Sequence, residues 1–256
     1  MNKQLFGDLV LDTIEIIKQF TPPNNEGYYL AFSGGKDSVV LYELVRMSGV
    51  KFDAHYSLTT IDPPELVQFI RKNYPDVIWE RPEKPMMSLV PIRGFPLRQN
   101  RWCCKEYKEN GGQGRILLTG IRAEENPRRA KRKQVEICYK DKTKRFLHPL
   151  MYWKEHEIWQ LIKEHNLPYC KLYDEGYKRI GCVLCPMATV ANKQRDLKRF
   201  PIMAENWRKA FRKLYANRKA RGNKSADRWK DADEMFSWWI SNGSSFKDNS
   251  NQLLWT

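Results

Sequence analysis

Two groups of residues in this sequence have types and spacing suited to chemistry. The first is the run Ser33-Gly34-Gly35-Lys36-Asp37-Ser38, set between an apolar stretch and an amphipathic one. Glycines let backbone amides approach an anion, and a helix starting there adds N–H groups without intrahelical partners and a favourable dipole. Lys36 can neutralise phosphate charge, the Ser33 and Ser38 hydroxyls can donate to it, and Asp37 can orient Mg²⁺ or cap the helix. The run has neither the GxxxxGK(S/T) spacing of a Walker A loop nor the GxGxxG of a dinucleotide fold. The second group is thiols: the vicinal pair Cys103-Cys104, and Cys182 and Cys185 in a Cys-x-x-Cys between a glycine and a proline. Four thiolates suffice for a 4Fe–4S cluster or a Cys₄ zinc site, while redox chemistry or core packing would use the same residues differently. Cys170 can replace one of the vicinal pair, because adjacent residues do not easily point the same way. Cys138, in a strand-like stretch, reads as a packed small apolar residue.

The elements that must position these groups can be read from apolar periodicity and breakers. After an amphipathic first helix and a breaker-rich TPPNNEG turn, Tyr28–Phe32 reads as a buried strand leading into the glycine run, and Val39–Met47 as a helix. Lys51–Tyr56 reads as a second strand, Pro63–Asn73 as a helix with proline in its first turn, and Val77–Trp79 as a third strand. Arg115–Gly120 and Phe146–Pro149 read as two more strands, with a helix over Lys154–His165. Strands alternating with helices predict a parallel sheet covered on both faces. Residues 81–114 and 166–195 read as irregular connections, and long irregular connections are often functional. The spacing predicts a nucleotide-binding domain over 1–192, holding the cysteine loops, and a basic, Trp-rich helical segment over 193–256.

The formal charge is +15, and residues 191–256 alone carry 15 Lys and Arg against 7 Asp and Glu. A net charge this large and this concentrated favours a polyanionic partner. Two regions would supply the contacts: the run Arg128-Arg129-Ala130-Lys131-Arg132-Lys133, and the basic residues of 193–230. Interleaved with the latter, Trp207, Phe211 and Tyr215 at helical spacing read as a core stripe, not a base-stacking platform. No apolar run approaches the roughly 18 residues of a membrane span, and the N-terminus lacks a signal-peptide core. A cytoplasmic location is expected, where six cysteines are not a disulfide framework. No Ser/His/Asp arrangement supports hydrolase chemistry. His148 is a candidate nucleotide contact, and His156 and His165 are expected at the surface.

The SGGKDS run resembles the PP-loop of the ATP pyrophosphatases and of the phosphoadenosine phosphosulfate (PAPS) reductases. Three later segments are similar to the latter family in the same order: LLTGIRAEENPRR, HPLMYWKEHEIWQLI and LPYCKLYDEGYKRIGCVLCP. The resemblance covers roughly residues 26–190. It implies an α/β fold, a Rossmann-like parallel sheet of the adenine nucleotide alpha-hydrolase type, with Ser33–Ser38 on the nucleotide phosphates. It further implies that Gly120 and Arg122 face the nucleotide, with Arg128 and Arg129 near its anionic end; the family carries serine where Asn126 stands. A vicinal cysteine pair followed by Cys-x-x-Cys resembles the cluster-binding pattern of adenylylsulfate reductases and of the Dnd-type DNA phosphorothioation enzymes. By that resemblance Cys103, Cys104, Cys182 and Cys185 hold a 4Fe–4S cluster.

Assimilatory sulfonucleotide reductases carry a nucleophilic cysteine on a C-terminal tail, and this sequence has no cysteine after Cys185. The resemblance therefore implies an ATP-dependent sulfurtransferase using Mg-ATP, with Lys36, Asp37 and Arg122 in the reaction, a nucleic acid (DNA or tRNA) as acceptor and a sulfur-donor protein as a further partner. Two alternatives stay open. One is an oxidoreductase acting on PAPS or adenylylsulfate. The other is a non-catalytic nucleotide-binding module of a nucleic-acid-modification or phage-defence complex.

Overall fold

The computed structural model describes residues 3–22, 25–139 and 141–241. Six strands form one sheet in the order β3-β2-β1-β4-β6-β5. They are β1 (Tyr28–Ala31), β2 (Phe52–Ser57), β3 (Ile78–Glu80), β4 (Ile116–Leu118), β5 (Val135–Ile137) and β6 (Arg145–Leu147). The helices are α1 (Lys3–Gln19), α2 (Lys36–Ser48), α3 (Pro64–Asn73), α4 (Met86–Arg93), α5 (Trp102–Tyr107), α6 (Pro127–Ala130), α7 (Glu155–Glu164), α8 (Val190–Arg199), α9 (Pro201–Ala220) and α10 (Ala232–Ile240). Two compact units interleave along the chain: residues 1–58, 64–82 and 107–181 in the first, and 59–63, 83–106 and 182–256 in the second. Both cysteine pairs thus belong to the second unit, with the basic helices.

The first unit contains the sheet. Pairing is parallel from β3 through β6, and only β5 runs antiparallel, against β6. The sheet is therefore not wholly parallel, as the sequence predicted, but carries an antiparallel edge. Its apolar residues Val135 and Ile137 are 40% and 65% exposed, so the edge strand lacks the buried face by which a strand announces itself. Central β1 is buried at Tyr28, Tyr29 and Leu30, and α2 covers it with Val40, Leu41, Leu44 and Val45, all fully buried. Strand order reverses at β1, which has β2 on one side and β4 on the other. Such switch points open a crevice at the carboxyl ends of the strands, where α/β sheets bind ligands. The loop Ser33–Ser38 leaves β1 there, and Gly120 follows β4.

One side of β2 is polar. His55 Nε2 lies 2.7 Å from Asp53, Tyr29 donates its hydroxyl to Glu80 at 2.6 Å, and Ser57 donates to the same carboxylate at 3.0 Å. Arg115 bridges Asp53 and three main-chain carbonyls, Glu26, Gly27 and Tyr28, so this half-buried network is largely paired within itself, while His55 Nδ1 and Arg115 Nε make no hydrogen bond. A shallow cleft of about 510 Å³ lies over this network under the Gly111-Gly112 turn.

The second unit is built on aromatic packing. Trp207 and Phe211 of α9 are fully buried, and Phe95 stacks on Phe211 at 5.3 Å. Trp239 of α10 closes on Trp207 at 4.7 Å. Tyr215 continues the stripe, its hydroxyl donating to the Trp229 and Lys230 carbonyls. The core reading of this stripe holds. The connection 81–114 is less irregular than expected, because it folds in part into α4 and α5. Pro91 inside α4 hid that helix from a propensity argument.

Candidate functional site

The glycine loop is shaped from within. Gly34 has φ of +69°, in the left-handed region, and a Cβ there would stand 2.7 Å from side-chain atoms of Leu66 and Ile70. Ser38, 4% exposed, donates its hydroxyl to the Gly35 carbonyl at 2.8 Å and lies 3.1 Å from the Ser33 hydroxyl. Ser38 therefore braces the loop, where the sequence had suggested a phosphate donor. α2 begins at Lys36, so its first N–H groups and dipole point into the crevice.

Gly120 brings the end of β4 against this turn. A Cβ on it would stand 3.0 Å from the Asp37 carbonyl oxygen, closer than most real Cβ contacts, so glycine is what lets the two segments meet. Two residues on, Arg122 is 2% exposed and donates from Nε to Asp37 Oδ1 at 2.6 Å. Its Nη1 reaches Glu124 at 2.8 Å and the Trp153 carbonyl at 3.4 Å. Burial works against the guanidinium charge, but Asp37 and then Glu125 and Glu124 outweigh it and raise the pKa. The Lys36 ammonium, in a residue 5% exposed, lies 3.3 Å from Asp37 Oδ2 and 3.7 Å from Glu155 Oε1. Each Asp37 oxygen is thus matched to a cation. That does not fit the expected role of Asp37 as a magnesium ligand; here it orients Arg122 and Lys36, and magnesium would enter with the nucleotide. Tyr173, which sequence reasoning missed, accepts the Lys36 N–H on its phenol oxygen at 2.9 Å.

The segment after Arg122 puts Asn126 at a helix start, where its side chain accepts the N–H groups of Arg128 and Arg129. That is an N-cap role a serine also fills. Within the basic run, Arg129 pairs with Glu125 and Arg132 with Glu136, while Arg128, Lys131 and Lys133 are exposed.

His148 is not an open nucleotide contact. It is 1% exposed and sits 2.7 Å through Nδ1 from the Thr119 hydroxyl. Burial first, and Arg132 second, push its pKa from 6.5 down to about 4, against the pull of Glu136. A depressed folded value means the unfolded chain takes up a proton that the native chain refuses. Stability is then complete above about pH 6.5 and falls as pH drops toward 4, by about 3 kcal/mol at most. Urea unfolding from pH 7 to 4 should show this loss, and His148→Gln should flatten it; an unchanged slope would rule out His148 as the source.

The second unit assembles the cysteines. Cys103 and Cys104 lie on α5, and Cys182 and Cys185 flank a turn in which Leu184 has φ of +57°. The Leu184 N–H donates to buried Asp196 at 3.0 Å, the Val183 N–H to the Ile61 carbonyl at 2.8 Å, and Cys182 Sγ lies 3.5 Å from the Thr59 hydroxyl. A non-glycine residue held left-handed in a turn tied to two other segments is the kind of strain that persists at functional sites. The Cys103 thiol is pushed far up by its hydrogen bond with Cys104, by burial, and by the charges of Cys104, Cys182 and Cys185. All six cysteines are thiols. Three thiols close enough to act on the Cys103 thiol make with it a set of four that fits a soft metal or cluster in donor chemistry. Among the described residues, however, no group of three or more His, Cys, Asp or Glu side chains stands in coordination geometry. Cys170 is fully buried in the first unit and opens the 3-10 turn Lys171–Tyr173. Cys138 is half-exposed, not packed, because it follows the exposed edge strand.

Lys193 belongs to the segment expected to meet a polyanion, but it is 1% exposed and donates to the Trp239 carbonyl at 3.0 Å. Burial lowers its pKa to about 8. Lys209, Arg212, Lys213 and Lys219 of α9 are exposed, Arg212 and Lys219 within ion-pair distance of acidic residues. The tail SSFKDNSNQLLWT lies outside the described residues. Among the described residues no helix is long and apolar enough to cross a membrane.

The uncharacterized protein MJ0066 of Methanocaldococcus jannaschii is 27% identical over 246 residues, 90% of this chain; the chain spans about half, 51%, of that relative's length. Adenosine 5'-phosphosulfate reductase 2 of Bacillus subtilis is 26% identical over 203 residues, covering 73% of this chain and 84% of that protein. A phosphoadenylyl-sulfate (PAPS) reductase from Candida auris, solved as a phosphate complex, superposes with a TM-score of 0.53 at 19% identity, over 71% of this chain and 96% of that one. The fold is thus α/β of the PP-loop type. Residues 27–188, more than half of the chain, match the phosphoadenosine phosphosulfate reductase domain and contain the glycine loop, Gly120, Arg122 and both cysteine pairs; the chain belongs to that family.

Proposed function

We propose that this protein is an ATP-dependent sulfurtransferase that modifies a nucleic acid. The observation that carries the reading is that one chain holds both the glycine loop Ser33–Ser38 with Lys36 and Arg122, in the first unit, and a set of four cysteines in the second, three of which act on the Cys103 thiol. An acceptor oxygen attacks the α-phosphorus of ATP and pyrophosphate leaves. A hydrosulfide-level nucleophile, delivered by a donor protein, then displaces AMP and leaves sulfur where oxygen stood, with no net oxidation. Lys36 and the loop amides hold the leaving phosphates. Cys103, Cys104, Cys182 and Cys185 would hold a 4Fe–4S cluster, which when bound supplies a site for activating sulfur. Exposed Arg128, Lys131, Lys133, Lys209 and Lys213 would contact a phosphate backbone.

A second reading, reduction of adenylylsulfate or PAPS, is favoured by the name of the Bacillus subtilis relative. Residues 186–256 contain no cysteine. Anaerobic purification with iron and sulfide assays, followed by pyrophosphate release from ATP with and without DNA or tRNA, separates the two. The expected result is about four irons and four sulfides per chain, lost in Cys182→Ala, and nucleic-acid-stimulated pyrophosphate release. Reduction of adenylylsulfate with no pyrophosphate formed from ATP would favour the reductase.

A further inference from the structure

The anion-binding groups of the glycine loop are already engaged by the chain itself. The Lys36 N–H, first of α2, is given to Tyr173 Oη at 2.9 Å, and a Cβ on Gly35 would lie 3.4 Å from that same oxygen. The Lys36 ammonium faces Asp37 and Glu155, and lies 5.7 Å from the centroid of the Tyr173 ring. These are the amide and the cation that a phosphate would take. Tyr173 comes from the far side of the crevice, on the 3-10 turn Lys171–Tyr173, with its ring edge-on to Trp159 of α7 at 5.2 Å. Glu155 stands in the first turn of the same helix and is half-exposed. Burial raises the pKa of the Tyr173 phenol, so the oxygen in the cradle is uncharged. A neutral phenol is a weaker partner for a helix N-terminus than a phosphate dianion, and an exposed carboxylate is a weak partner for a lysine. Both contacts are therefore displaceable.

We propose that Tyr173 and Glu155 form a latch on the nucleotide loop: the Tyr173 hydroxyl occupies the place of a phosphoryl oxygen and Glu155 that of its charge, and phosphate binding displaces both. This rests on the reading of Ser33–Ser38 as the phosphate cradle. It reverses the usual sign of a binding-site substitution. A residue that contacts the ligand weakens binding when it is truncated, whereas a residue that competes with the ligand strengthens it.

The test is calorimetric titration of inorganic pyrophosphate into the full chain, as wild type, Tyr173→Phe and Glu155→Gln. Tyr173→Phe keeps the ring against Trp159 but gives up the oxygen, and should bind pyrophosphate about two- to ten-fold tighter. Glu155→Gln should also tighten it. Unchanged or weaker binding by Tyr173→Phe overturns the latch while leaving the loop assignment standing. Should that variant fail to fold, Glu155→Gln decides alone, with the same two outcomes. If wild type and variants all fail to bind pyrophosphate or ATP, the cradle assignment itself is wrong and the latch falls with it.

Discussion

Lys36→Ala should lower pyrophosphate release from ATP by at least about 100-fold while leaving the fold intact. The lysine is the loop's one side-chain cation and is buried, so charge on the leaving phosphates would lose a preorganised donor. Loss of a single preorganised donor of this kind costs roughly 10²–10³ in rate. Stability should change little, by about 1 kcal/mol or less, because alanine suits the first turn of α2 and Asp37 keeps its guanidinium partner. Turnover and thermal unfolding of the same preparation check both halves. Unchanged pyrophosphate release would remove Lys36 from the chemistry, and a collapsed melting transition would recast it as a structural cation. Lys36→Arg is the informative companion, since its charge is kept but a planar fork replaces a compact ammonium.

The parts of this site that could be read in the sequence are those whose physics is local. Ser33–Ser38 announces itself because a buried strand, a glycine turn and a helix start follow one another directly. Gly120 and Arg122 were legible only through family resemblance, since nothing in LTGIR by itself points to a loop 85 residues earlier. What remained hidden depends on chain segments far apart in sequence. Tyr173 is 137 residues from the amide it caps, and although its segment was legible as a long irregular connection similar to the family, nothing there singled out this tyrosine. Ser38 looked like a phosphate donor because sequence cannot show that its hydroxyl is spent on Gly35. Lys193 looked like one more surface cation because burial against Trp239 is set by the packing of α8 and α10. The cysteines were intermediate: their spacing was legible, but not that a strained turn at Leu184, tied to Asp196 and to Ile61, presents the second pair. Strand β5 was legible only as a strand-like stretch around Cys138, and its antiparallel edge position was not, because an exposed edge has no buried apolar run to mark it.

Arg122→Ala should cost about 3 kcal/mol of stability together with nucleotide binding. The guanidinium side chain is 3% exposed and ties four things together: Asp37 on the loop, Glu124 beyond the end of β4, the Trp153 carbonyl before α7 and, through Glu124, the Glu155 N–H at the start of that helix. Removing one partner of a buried ion pair leaves the other desolvated, which costs roughly 3–5 kcal/mol. The lower end applies because Asp37 retains Lys36 and is itself about one-fifth exposed. Two controls divide the effect. Asp37→Asn removes the paired charge but keeps a hydrogen-bond acceptor, and combining it with Arg122→Ala should restore part of the lost stability, since no orphan carboxylate remains. Arg122→Lys keeps charge but cannot reach Asp37, Glu124 and the Trp153 carbonyl at once, so it should recover less binding than stability. Denaturant unfolding of the four variants measures the coupling directly. Strict additivity of Asp37→Asn and Arg122→Ala would mean that the two side chains are neighbours without being partners, and that the loop is positioned by Gly120 and the helix alone.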